Sequence, residues 1–333
     1  MKASDSTPVA YTLRNGVQES FHNGAVVCLD RDGSIAFSAG SPTAIIFPRS
    51  STKPFLATAM VAAGLKLPSR LLALVCASHD GRPEHLQAAR EILASARLDE
   101  TALCNTKDLP LDDDAARDVV RGGGVATSLQ MDCSGKHSGM LATCVACGWT
   151  HDESYLNRDH PLQRCITEMM PEMIGENVAH IVTDGCGAPA HAMTLAGLAR
   201  GFRSVAMAKA GSPARVVADA MREHPQMVGG PTRDVSLLMS GIAGLVAKDG
   251  AEGVYAAALP DGRAIALKIA DGANRARPPL MRAALTALGI DISSVDPQAF
   301  TSPILDMVKL WVRYGSWIIC FHYDFAPTDK NFS

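Results

Sequence analysis

Ser50 and Lys53 stand three residues apart in "RSSTKPFLATAM", where an apolar helical pattern begins. A serine hydroxyl is a weak nucleophile until a base takes its proton. Residues i and i+3 share one face of a helix, so Lys53 can reach Ser50. As a base the lysine must be neutral, which calls for burial or a neighbouring cation. The plain alternative is a polar helix entry, with Ser51 and Thr52 as caps. A second candidate serine, Ser78, closes an apolar run in "LLALVCASHDGRPEHL", followed by His79, Asp80 and Gly81. That cluster is either site chemistry at the end of an element or a turn before a helix near Pro83. Lys268 in "RAIALKIADG" shares a strand face with Ala264, Ala266 and Ala270. There it is either a lysine of lowered pKa or an edge lysine facing water.

Two cysteines stand apart from the rest. Cys133 in "MDCSGKHSGM" and Cys186 in "TDGCGAPAHAM" lie among glycines and polar residues beside helix starts. With Lys136 or His137 they offer sulfur and nitrogen to a metal such as zinc, which takes four ligands. On spacing, His137 is the conventional nitrogen donor. "SGKHS" is no phosphate loop, because Gln130 stands where the first glycine belongs.

The rest of the chain must position these groups. Its 333 residues are 47% apolar and 20% charged, with net charge −3. That balance suits a full globular core and offers no bulk attraction to nucleic acid or anionic membrane. Nine cysteines without a framework spacing read as thiols or ligands in a reducing compartment. "MKASDSTPVAYTLRNG" shows no secretory apolar region, and no run approaches a membrane span. A cytoplasmic location is expected.

Residues 24–39 and 253–270 read as two hairpins, turning at Asp-Arg-Asp-Gly and Pro-Asp-Gly-Arg. Between them lie helical patterns after Lys53 and in "PEHLQAAREILASA", "HSGMLATCVACG", "HAMTLAGLARGF", "SPARVVADAMREH" and "DVSLLMSGIAGLVAK"; another covers 279–288. The expected fold is α+β. Residues 1–50 and 248–333 form an antiparallel sheet region, and 51–247 a mostly helical region, in one compact catalytic unit. From Trp311 the chain turns aromatic, holding seven of its seventeen aromatic residues.

Taken together, "RSSTKPF", "CASHDGRPEH", "DCSGKHSGML", "RDHPLQ", "TDGCGAPAHAM", "GAEGV" and "AIALKIADG" resemble the asparaginases of the Rhizobium etli type, the asparaginase II family. The resemblance implies hydrolysis of L-asparagine to aspartate and ammonia, a fold similar to serine β-lactamases and glutaminases, and a homodimer. It implies two serine–lysine pairs, Ser50 with Lys53 and Ser78 with Lys268, and a modulating zinc on Cys133, Lys136 and Cys186. Arg49, His79 and Asp184 are the candidates for holding the substrate, Arg49 at its α-carboxylate and Asp184 at its α-ammonium. A glutaminase or other serine amidase, or an inactive zinc-binding homologue, are the rival readings. Two departures stand out: Asp80 replaces a small neutral residue, and the aromatic tail replaces a glycine-rich final strand.

Overall fold

The computed structural model describes residues 1–15 and 17–301, and the backbone of 310–314 and 317–321. Four strands lie before the first helix: β1 (Thr7–Arg14), β2 (Val17–Leu29), β3 (Ile35–Ala39) and β4 (Ile45–Ile46). A 3-10 turn over Arg49–Thr52 leads into α1 (Lys53–Ala63). Five more helices follow: α2 (Ser69–Val75), α3 (Pro83–Ser95), α4 (Asp113–Arg121), α5 (Ser134–Cys147) and α6 (Pro161–Ile174). The strands β5 (His180–Thr183) and β6 (Pro189–Thr194) precede α7 (Leu195–Ala206), α8 (Pro213–Glu223), α9 (Pro225–Val228) and α10 (Asp234–Gly241). The strands β7 (Val246–Gly250), β8 (Val254–Ala258) and β9 (Ala264–Ile269) then lead to α11 (Arg277–Ala287).

The fold is α+β, as expected. Six strands from the two ends of the chain share one antiparallel sheet, ordered β1-β2-β9-β8-β7, with β3 also on β2. Both expected hairpins are present, and Val26 faces Leu267 across the β2–β9 seam that joins the two ends. Every residue of β7, β8 and β9 is buried. Such strands are covered on both faces and read as continuous small-apolar runs rather than alternating ones. Both α7 and α11 pack on β8 and β9.

Two expected helices begin or end as strand. In "HAMTLAGLARGF" the helix starts only at Leu195, because Thr194 caps it by accepting from Gly197 N. The residues before it pair with β4 and β5 in a small three-stranded sheet. In "DVSLLMSGIAGLVAK" the helix stops at Gly241, and Val246 onward is β7. A short apolar run such as Leu245–Ala247 fits either period, and burial in the sheet decides it. In the aromatic tail, β10 (Leu310–Tyr314) and β11 (Trp317–Phe321) pair with each other in a sheet of their own. Its side chains lie outside the described residues.

Candidate functional site

The Arg49–Thr52 turn and the start of α1 carry the first serine–lysine pair. Neither neighbouring hydroxyl acts as a cap. Thr52 Oγ1 donates back to Arg49 O at 2.9 Å, and Ser51 Oγ donates to Lys248 O at 3.1 Å. Ser50 is half-buried, and among the described residues its hydroxyl makes no hydrogen bond. Pro54 in the first turn of α1 starts the helix without wasting a donor.

Lys53 is 2% exposed. Its Nζ donates to Ser78 Oγ at 3.0 Å and to the Ala77 carbonyl, and Asp132 Oδ2 is 3.8 Å away. One ammonium thus serves the second serine from a position one turn beyond the first. The pairing differs from the expected one, because Ser78 meets Lys53 and not Lys268. The Ser78 loop is pinned on both sides: Ser78 N donates to Val228 O, Asp80 N to Gly229 O and His79 N to Asp132 O. Burial opposes a charge on Lys53, but the Cys133 sulfur and the Asp132 carboxylate outweigh it and hold the group above its ordinary value. A resting neutral Lys53, expected from its apolar neighbours, is therefore opposed by these two groups.

His79, expected at the substrate, lies in the core with 0% exposure. Its Nδ1 accepts from Gly81 N, so Nε2 carries the proton and donates to Ser134 Oγ at 2.8 Å. Burial, with His85 stacked alongside, pushes it down to about 3. It is a neutral brace with no free nitrogen to offer a ligand.

Asp80, the departure in this loop, is accommodated by a notch and a cation. Its Oδ1 takes Arg233 Nη1 at 3.5 Å, while burial still raises its pKa. A Cβ on Gly230 would lie 1.7 Å from Asp80 Oδ2. Gly230→Ala is therefore expected to lower stability by about 1–3 kcal/mol through overpacking, read as a fall in melting temperature. A melt unchanged from wild type would show that the loop yields freely.

Lys248 is the residue that sequence reasoning missed. It is 0% exposed, and its Nζ donates to the Asp249 carbonyl at 2.8 Å and to the Asp249 carboxylate. Its strand abuts the serine turn: a Cβ on Gly250 would sit 2.5 Å from Pro48 O. Burial pushes Lys248 down to about 8; Asp249 opposes the shift, and the Lys53 charge adds to it. Asp249 is held by Arg233 Nη2 at 2.5 Å and Arg277 Nη1 at 3.4 Å. A network thus runs from Asp80, beside Ser78, through Arg233 and Asp249 to Lys248. The only sequence signal was a Lys-Asp pair closing the apolar "GLVAKDG".

Lys268 lies elsewhere, on the wall of a cavity of about 470 Å³ with Arg49, Asp184, Glu252, Ile46 and Phe47. Arg49 Nε donates to Asp184 Oδ1 at 2.6 Å. The two candidates for opposite ends of a substrate therefore face one cavity, joined to each other. Arg49 has a left-handed φ of 54°, a strained state for a non-glycine residue.

Cys133, Lys136 and Cys186 come together. Lys136 Nζ donates to Cys186 Sγ at 3.0 Å. The Cys133 thiol donating to it, then Lys136 and His137, overcome burial and hold Cys186 far below the ordinary thiol range. The His137 ring bonds Tyr155 Oη through Nδ1 at 2.8 Å, and its buried Nε2 has no hydrogen bond. Among the described residues no group of three His, Cys, Asp or Glu is arranged to hold a metal. A three-ligand site here needs the lysine amine, and two sulfurs with one nitrogen suit zinc.

The sequence profile of L-asparaginase II matches residues 10–309. The chain belongs to the L-asparaginase II family. It is accordingly an amidohydrolase, with an asparagine-like amide as its substrate class. No protein of curated function matches the sequence significantly. Among solved structures, a β-lactamase from Mycobacterium bovis aligns over 80% of this chain and 94% of its own, at 16% identity and TM-score 0.45. EstCE1, a hydrolase with promiscuous acyltransferase activity, aligns over 79% and 93%, at 10% identity and TM-score 0.40. No helix among the described residues is long and apolar enough to cross a membrane.

Proposed function

We propose that the protein hydrolyses L-asparagine to L-aspartate and ammonia by serine–lysine chemistry. The observation that carries this reading is Lys53, whose Nζ bonds Ser78 Oγ from one turn beyond Ser50. Ser50 is the nucleophile, being the half-exposed serine with an unengaged hydroxyl. Lys248 replaces Lys268 as the second lysine. Above about pH 8 Lys248 is neutral, and the two lysines then carry one positive charge between them, leaving one amine lone pair vacant. The vacancy accepts the Ser50 proton as its oxygen bonds the side-chain amide carbon. Ser78 and Lys53 return a proton to the amide nitrogen, the C–N bond breaks, and ammonia leaves. Water then enters and loses a proton to the same pair as its oxygen bonds the acyl carbon; the Ser50 Oγ–C bond breaks, Oγ takes back the proton held in the vacancy, and aspartate leaves. Arg49 and Asp184 hold the α-carboxylate and α-ammonium.

Ammonia release from L-asparagine and L-glutamine by wild type, Ser50→Ala and Ser78→Ala tests this. Ser50→Ala is expected to lose roughly 10⁴-fold or more in kcat, and Ser78→Ala roughly 10²–10⁴-fold. Full activity in folded Ser50→Ala would remove the nucleophile assignment. One methylene is worth only about 1–3 kcal/mol of discrimination, so the glutamine rate decides between asparaginase and glutaminase.

Zinc on Cys133, Lys136 and Cys186 is part of the same proposal. When bound it would neutralise the two sulfurs and fix the end of the Asp184–Cys186 turn. Cys186→Ser is expected to lower zinc content by elemental analysis and raise KM with kcat largely kept. Loss of kcat alone would give the metal a catalytic role. The family resemblance supports a homodimer.

A further inference from the structure

Among the described residues Lys268 is a buried cation with no carboxylate in salt-bridge contact. It is 8% exposed on β9, between Ala25 and Val254 in the sheet. Its Nζ donates to the Glu252 and Ile269 carbonyls. An ammonium has three N–H donors, so one is unused among the described residues, and the group lines the cavity beside Arg49. No carboxylate lies within salt-bridge distance of it among the described residues. Glu252 explains why. Its φ of 63° is left-handed, a state that disfavours a residue with a Cβ, and the turn presents its carbonyl to Lys268. Its carboxylate makes no ion pair or hydrogen bond among the described residues. Arg49, the cation opposite, is already paired with Asp184.

The geometry points to Lys268 as the receptor for the α-carboxylate of the substrate, beside Arg49, with the α-ammonium facing Asp184 and Glu252. The ligand is an α-amino acid zwitterion whose side-chain amide extends from the cavity toward Ser50, the residue after Arg49. This rests on the proposed function and moves Lys268 from proton transfer to specificity. The burial that lowers Lys268 would be offset by an arriving carboxylate, as Glu252 and Asp271 partly offset it now.

The test compares L-asparagine with 3-aminopropanamide, which is asparagine without its α-carboxylate. In Lys268→Met, kcat/KM for L-asparagine is expected to fall about 30- to 100-fold, chiefly in KM, the size of one lost charged hydrogen bond. On 3-aminopropanamide the same substitution is expected to change kcat/KM by less than about twofold, since the partner of Lys268 is missing from that substrate. Equal losses on both would overturn the assignment, because damage to the fold or to proton transfer strikes both. Should Lys268→Met not fold, Lys268→Arg keeps the charge and moves it; a raised KM for asparagine alone supports the subsite, and an equal effect on both amides removes it. If the wild type turns over no amide, the proposed function fails separately. Calorimetry with L-aspartate then reads the subsite: binding at least tenfold weaker in Lys268→Met supports it, and equal binding, or none to folded wild type, overturns it.

Discussion

Lys53→Met is expected to abolish turnover, by roughly 10⁴-fold or more, while leaving a folded protein. The size follows from its position. Lys53 lies one helical turn from Ser50 and bonds Ser78 directly, so one substitution removes the ammonium that bonds one serine and stands a turn from the other. Methionine fills a similar volume, so the apolar packing of α1 is kept. The charge removed leaves Asp132 without its nearest cation. Burial works against the Asp132 charge, and Lys53 followed by His79 holds its pKa below the usual value. Asp132 is 22% exposed, and water can take over part of its solvation. The expected stability loss is therefore about 1–3 kcal/mol, a fall of a few degrees in melting temperature. The pH sign separates this from an acid effect. Lys53 is raised in the fold, so its stabilisation is present below the ordinary value of 10.5 and lost as pH rises through the higher folded value. Ammonia assays with circular dichroism melts read both results. Activity above about a tenth of wild type in a folded Lys53→Met would end the serine–lysine assignment.

The parts of the site that were legible in the sequence are those set by short spacing. Ser50 and Lys53 are three apart across the turn into α1, and one contiguous motif places Cys133 and Lys136 together at the start of α5; Cys186 was expected beside a helix but precedes β6. Long-range pairing was harder to read. Lys268 and Lys248 both stand in small-apolar strands, and alternation gives each a face but not a neighbour. Burial of β7 and β9 on both faces removes the alternation that would have told them apart. Lys248 was read as the end of a helix, whereas it stands on β7, whose Gly250 lies opposite Val254, the residue that faces Lys268 on its other side. His79 misled for a similar reason, because a histidine beside a candidate serine looks like chemistry. The backbone bond from His79 N to Asp132 O turns that residue inward. The fold was legible where turns were explicit, at Asp-Arg-Asp-Gly and Pro-Asp-Gly-Arg. It was not where β6 pairs with β4 and β5 on its two sides, since no local signal announces a two-residue partner strand.

Asp249→Asn is the substitution in which stability and pH dependence separate most clearly. Asp249 is 5% exposed and meets Lys248, Arg233 and Arg277. Burial alone would raise its pKa, but Lys248, then Arg233 and Arg277, hold it well below the usual carboxylate value. A carboxylate depressed in the fold gives stability that is present above its unfolded value near 4 and lost as pH falls through the folded value. Removing the charge strands two or three buried cations, at a cost of about 3–5 kcal/mol at neutral pH. The variant is expected to show a lower urea midpoint at pH 7 and a flatter fall in stability below pH 4 than wild type. Activity moves in the opposite sense. Asp249 is the charge that offsets the burial of Lys248, which titrates near pH 8 with it in place. Without it, Lys248 becomes neutral at lower pH. The rising limb of kcat against pH should then shift acidward by about 1–3 units, the effect of losing one adjacent opposite charge. The wild-type limb is expected near pH 8. A limb that stays in place while stability falls would mean that Lys248 is structural and that the proton vacancy lies elsewhere. A limb that moves with the charge would assign Lys248 as the group whose deprotonation readies Ser50.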